Sequence, residues 1–193
     1  MVFEIEELMN LGDKNLIPVL LYLFHRVEKA LTGQPSLLIL DEAWIMLGHA
    51  VFREKIREWL KVLRKANCAV VLATQSLSDA VRSGILDVLE ESCPTKIFLP
   101  NETAIQESQY ALYQGLGLNS KQISIVASAA PKRDYYIVSP EGRRLIDLAL
   151  GPVALSFVGS SDKTSISKIK ELVAEHGPEW PGKWIKIRQG DVN

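Results

Sequence analysis

The chain has 193 residues, 22 Lys+Arg against 23 Asp+Glu, three His, 47% hydrophobic and 23% charged residues. This length and apolar share predict one domain with a sizeable core and exclude a disordered chain or a small disulfide scaffold. A net charge of −1 excludes a generally basic nucleic-acid binder and leaves only a local basic patch open.

Cys68 and Cys93 have neither CxxC spacing nor a nearby histidine, so both are expected to be small buried apolar residues rather than metal ligands or a redox pair. Acidic Glu4, Glu6 and Glu7 follow Met1 where a secretory signal would be basic and then apolar. The longest apolar stretch, Leu16 to Phe24, falls short of the ~20 residues that span a bilayer. A soluble, cytoplasmic setting is the expectation.

In chain order, Val2 to Ile5 reads as a short strand. Leu16, Val19, Leu20, Leu23, Val27 and Leu31 then mark an amphipathic helix that Gly33 and Pro35 end. Ser36–Leu40 is an apolar run broken by Asp41-Glu42, the pattern of a strand buried on both faces of a parallel sheet. Ile56, Trp59, Leu60 and Leu63 form the inner face of a second helix, whose outer face carries Arg53, Arg57, Lys61 and Arg64. Ala69–Ala73 is a second buried strand ending in Thr74-Gln75-Ser76. A helix over Leu77–Glu91 and a third core strand, Thr95–Leu99, follow. Helices are expected at Thr103–Gln114 and Ser120–Ala127. Asp134–Val138 and Arg144–Leu148 flank a Pro140-Glu141-Gly142 turn as a β-hairpin. A strand at Val153–Val158, a helix at Lys163–His176 and an irregular tail complete the chain. The expected layout is a single domain: an α/β core over 1–130, hairpin and following strand over 131–160, helix and tail over 161–193.

Alternating strands and helices place ligands beyond the carboxyl ends of the strands. Asp41-Glu42 and Thr74-Gln75-Ser76 would share that crevice. In a nucleotide hydrolase the first carboxylate after such a strand holds Mg²⁺ through water, and the second orients and deprotonates the attacking water. An amide on the next strand end positions that water or senses the γ-phosphate. Asp41, Glu42 and Gln75 fit these roles, with Thr74 beside the nucleotide; the competing reading is two strand ends that turn polar on reaching solvent. Arg64, closing the helix between the two strands, either caps that helix or acts across a subunit interface as an arginine finger. The basic face of Arg53, Arg57, Lys61 and Lys65 has three candidate neighbours: DNA phosphates, another subunit or plain solvent.

Phe3-Glu4-Ile5, Leu38-Ile39-Leu40-Asp41-Glu42-Ala43-Trp44, Glu58-Trp59-Leu60-Lys61 with Leu63-Arg64-Lys65, Ala73-Thr74-Gln75-Ser76, Pro94 to Asn101, and Lys132-Arg133-Asp134-Tyr135-Tyr136 run through nearly the whole chain. Together they resemble the C-terminal ATPase domain of the CagE/TrbE/VirB family of conjugative transfer and type IV secretion ATPases, most closely the TrbE branch. The resemblance implies a partial RecA-like core of the HerA/FtsK type: a mostly parallel sheet flanked by helices, with a C-terminal hairpin and helix. It implies ATP and Mg²⁺ as cofactors, a hexameric ring, inner-membrane secretion subunits as partners, and a peripheral place at the inner membrane. It assigns Asp41 and Glu42 to the Walker B pair, Gln75 to the polar sensor, Arg64 to action in trans, and Arg133 to a second interface position whose plain alternative is a surface salt bridge.

The phosphate loop is missing. No Gly-x-x-x-x-Gly-Lys-Ser/Thr occurs; Gly177–Lys183 reads Gly-Pro-Glu-Trp-Pro-Gly-Lys, but Trp184 follows and two prolines remove amides that would hold phosphate. In the family that loop lies upstream, so the chain is expected to be inactive alone, being a truncation, a remnant, or one half of a split protein. The phosphate-loop strand normally sits centrally, so self-association or limited stability is expected. The alternative function is a non-catalytic module docking onto secretion subunits. A DEAD-box helicase is disfavoured because the chain has no room for a second RecA-like domain.

Overall fold

The computed structural model describes residues 2–3, 12–41, 47 and 49–190. Helix α1 (Asp13–Ala30) leads to strand β1 (Ser36–Leu40), α2 (Ala50–Val62) with a 3-10 turn over Leu63–Ala66, and β2 (Cys68–Leu72). β1 and β2 pair in parallel with Ser36 opposite Cys68 and Leu40 opposite Leu72. Asn67, at φ 57°, makes the turn into β2, and its carbonyl accepts from the Ser36 amide at 3.0 Å, fixing the start of the pair. Leu16, Leu20 and Phe24 of α1 meet Phe52, Ile56 and Trp59 of α2 above this pair. The Phe24 and Trp59 rings lie 4.5 Å apart, and the Trp59 indole donates to Glu28 Oε1 at 2.8 Å.

The helix expected over Leu77–Glu91 is two helices, α3 (Leu77–Arg82) and α4 (Leu86–Ser92). Gly84 at φ 74° breaks the run, since this left-handed geometry costs any residue with a Cβ. The third strand, β3 (Lys96–Phe98), pairs antiparallel with β4 (Asp134–Ser139), Phe98 opposite Tyr136, rather than with the β1–β2 pair. β5 (Gly142–Asp147) completes a three-stranded sheet in the order β3-β4-β5, so the hairpin stands as expected. Between β3 and β4 come a 3-10 turn (Glu102–Ile105), α5 (Glu107–Gly115) and α6 (Ser120–Ser128). They cover one face of this sheet through Ala104, Tyr113, Leu118, Ile123 and Val126. Asn119 and Gln122 form a reciprocal capping box at the start of α6.

Two expectations for the C-terminal region are corrected. Val153–Val158 lies in helix α7 (Pro152–Val158), not a strand: Pro152 presets the first helical turn, and a short apolar run has no periodicity that separates the two states. The tail is largely helical, as α9 (Trp180–Gly190), because Trp184 is buried and donates to the Ser156 carbonyl at 2.7 Å. With α8 (Lys163–His176), capped by Asp162 on the Ser165 amide, these helices form their own unit. The single expected domain is thus two compact units, Met1–Ile146 and Asp147–Asn193. The strand expected at Val2–Ile5 falls mostly outside the described residues; Val2 and Phe3 are not in a strand.

Candidate functional site

Parallel pairing in register puts the carboxyl ends of β1 and β2 side by side. The Ala73 amide donates to the Leu40 carbonyl at 2.9 Å, so Asp41 emerges next to Ala73-Thr74. Asp41, Thr74 and Gln75 are exposed. The Thr74 hydroxyl accepts from the Ser76 amide at 3.1 Å, and the Ser76 and Ser78 hydroxyls lie 2.9 Å apart, which shapes the loop entering α3. Glu42 lies outside the described residues.

Arg64 is exposed in the 3-10 turn that precedes β2, at the start of the strand. The four steps from Cys68 to Leu72 span about 13 Å, so the structure does not bring Arg64 together with Asp41 and Gln75. Instead Arg64 borders a groove of about 310 Å³ lined also by Cys68–Val70 of β2 and Cys93–Thr95 ahead of β3. Cys68 is buried as expected; Cys93 is half-buried in this groove, and burial pushes both thiols up, away from reactive thiolate. Arg133 is exposed just before β4, near the finish of β3, because the two strands run antiparallel.

The basic face of α2 divides. Arg53 Nη1 donates to the Ser83 carbonyl at 3.0 Å and Arg57 Nη2 to the Gly84 carbonyl at 2.8 Å, so both guanidinium groups are spent on the α3–α4 turn. Lys61, Arg64 and Lys65 stay exposed. Sequence reasoning missed this latch, although Ser83-Gly84 inside an otherwise helical stretch was the available signal for a turn with free carbonyls. It also missed the network in which Lys55 joins Glu28 at 2.6 Å and Glu58 at 2.9 Å.

Residues 1–138 match the family model described as the TraG P-loop domain. The chain belongs to the TraG P-loop domain family. It is 69% identical over 186 residues to conjugal transfer protein TrbE of Rhizobium radiobacter, covering 96% of this chain and 23% of that one. It is 63% identical to a probable conjugal transfer protein TrbE of Sinorhizobium fredii (strain NBRC 101917 / NGR234), covering 96% and 28%. Type IV secretion system protein CagE of Helicobacter pylori is 32% identical over 80% of this chain and 16% of its own. The chain therefore spans about a quarter of the two TrbE relatives. The resemblance to the CagE/TrbE/VirB type IV secretion ATPases stands, most closely to the TrbE branch. The structure of VirB4 of Thermoanaerobacter pseudethanolicus superposes with a TM-score of 0.55 at 17% identity, over 69% of this chain and 36% of that one, which supports the α/β fold. Among the described residues no helix is long and apolar enough to cross a membrane.

Proposed function

We propose that this chain is the catalytic-carboxylate portion of a motor ATPase that energises conjugative transfer through a type IV secretion machine, with the phosphate-holding loop supplied by polypeptide outside this sequence. The observation that carries the reading is Asp41 emerging beside Ala73-Thr74 at the carboxyl ends of two paired parallel strands, in a chain 69% identical to a conjugal transfer protein. The donors suit the cofactors. Among the described residues no cluster of three His, Cys, Asp or Glu side chains exists to cage a metal, whereas one exposed carboxylate flanked by hydroxyls matches a Mg²⁺ that keeps several waters and leans on phosphate oxygens.

When bound, Mg²⁺ and ATP supply the activated phosphoryl group and neutralise its charge. Asp41 accepts hydrogen bonds from the waters around the metal. Glu42 orients the attacking water and takes its proton, and the Gln75 amide holds that water in line. Arg64, at the far end of β2 from this site, serves a neighbouring subunit's nucleotide in a ring, and Arg133 is a second interface arginine. The ring docks at the cytoplasmic face of the inner membrane on other secretion subunits, and exposed Lys61 and Lys65 remain available to them or to DNA.

Calorimetry with Mg·ATP tests this reading, on the chain alone and mixed with the portion of Rhizobium radiobacter TrbE that lies outside the matched residues. Binding only in the mixture, abolished by Asp41→Ala, is expected; no binding in either case would shift the assignment to a non-catalytic docking module, which the missing phosphate loop favours.

A further inference from the structure

Strands in an all-parallel arrangement are buried on both faces. The composition of β1 and β2 fits that rule, since every residue from Leu37 to Leu40 and from Cys68 to Leu72 is apolar. Yet only one face is covered. Leu38, Leu40, Val70 and Leu72 pack under α1 and α2, whereas Leu37, Ile39 and Val71 are 63%, 61% and 45% exposed. The register sets Leu37 opposite Ala69 and Ile39 opposite Val71, so these residues form one apolar surface. The same pair is open sideways: among the described residues β2 is hydrogen-bonded to β1 alone, and the groove along Cys68–Val70 borders its other edge.

We propose that this bare face and the adjoining edge of β2 are the docking surface for an α/β segment of the same longer polypeptide, which adds a strand beside β2 and lays an apolar helix face on Leu37, Ile39 and Val71. Two arguments select this occupant over a second copy of the chain. The patch is on the order of 300 Å², well under the ~800 Å² per partner of a stable interface, so face-to-face self-pairing through it is too small to hold. A strand joined to a helix adds main-chain hydrogen bonds along the edge to the apolar burial on the face. Polypeptide of this kind is available, because the chain spans only 23% and 28% of its two TrbE relatives. The inference rests on the proposed function, which already calls for an added segment, and names the surface that holds it.

The test mixes this chain with the portion of Rhizobium radiobacter TrbE outside the matched residues and measures association by analytical ultracentrifugation. The variant pair is Leu37→Lys with Ile39→Lys, both exposed, so its melting curve by circular dichroism stays that of the parent. At least a tenfold loss of affinity in the variant is expected. Equal affinity of variant and parent, no association by the parent, or homodimers dispersed by the same substitutions would each overturn the proposal. A complex that forms through this face but binds no Mg·ATP removes the proposed function and leaves the docking surface standing.

Discussion

The parallel pair β1–β2 and the antiparallel sheet β3-β4-β5 lie in one compact unit, yet they are finished differently. The antiparallel sheet makes its β4–β5 edge locally: a turn at Pro140-Glu141 joins the two strands, and α5 and α6 cover one face. The parallel pair needs α2 as its crossover and α1 as its cover, and its second face still carries bare Leu37 and Ile39. Antiparallel pairing can be completed by neighbours in sequence and leave one face to water, whereas parallel pairing depends on distant segments for both faces.

Trp59→Ala is expected to break this comparison most severely. Trp59 is 1% exposed and carries the Phe24 contact and the Glu28 hydrogen bond, so its loss costs about 3–5 kcal/mol. Hydrogen exchange should accelerate more at β1 and β2 amides than at β3 and β4; equal acceleration would mean the two regions open as one. Gly84→Ala comes next, at about 1–2 kcal/mol, because φ 74° strains a Cβ and the new methyl group lies 3.3 Å from Arg53 Nη1. Urea denaturation measures it, and a neutral result would show that the Arg53 and Arg57 latch yields freely. Asn119→Ala removes the cap of α6 for about 1 kcal/mol, an effect read at the antiparallel sheet alone.

The smallest effect is the pH dependence of the α1–α2 contact. Burial pushes the Glu28 carboxyl up, but hydrogen bonds from Lys55 and Trp59 outweigh it and hold the group below its ordinary 4.5. The hydrogen bond to Glu28, helped by Glu58 against partial burial, raises Lys55 above 10.5. The carboxylate's contribution is therefore present above about pH 4.5 and lost as pH falls through its depressed value; the ammonium's is present below 10.5 and lost as pH rises through its raised value. Because both side chains are partly exposed, Lys55→Met should cost under about 1 kcal/mol at pH 7, and the difference in thermal midpoint from the parent should shrink below pH 4.

Much of the site was legible because strand ends are marked by abrupt changes of residue type. Four apolar residues before Asp41, and Thr74-Gln75-Ser76 after β2, fixed both loops, and the structure sets Asp41 beside Ala73-Thr74. The fates of Arg53 and Arg57 were not legible. Helical spacing placed them on one face with Lys61 but could not say that the Ser83 and Gly84 carbonyls, some thirty residues on, would meet that face.

By itself the sequence determined which segments are apolar, where strands end in polar groups, the α/β alternation and the family motifs, because these depend on local periodicity and composition. Only the tertiary structure decided that β3 pairs with β4, that Val153–Val158 is helical against Trp184, and that β1 and β2 keep one face bare. Each of those outcomes turns on which distant surface reaches an apolar run first, and an apolar run reads the same whether a helix, a strand or another polypeptide covers it.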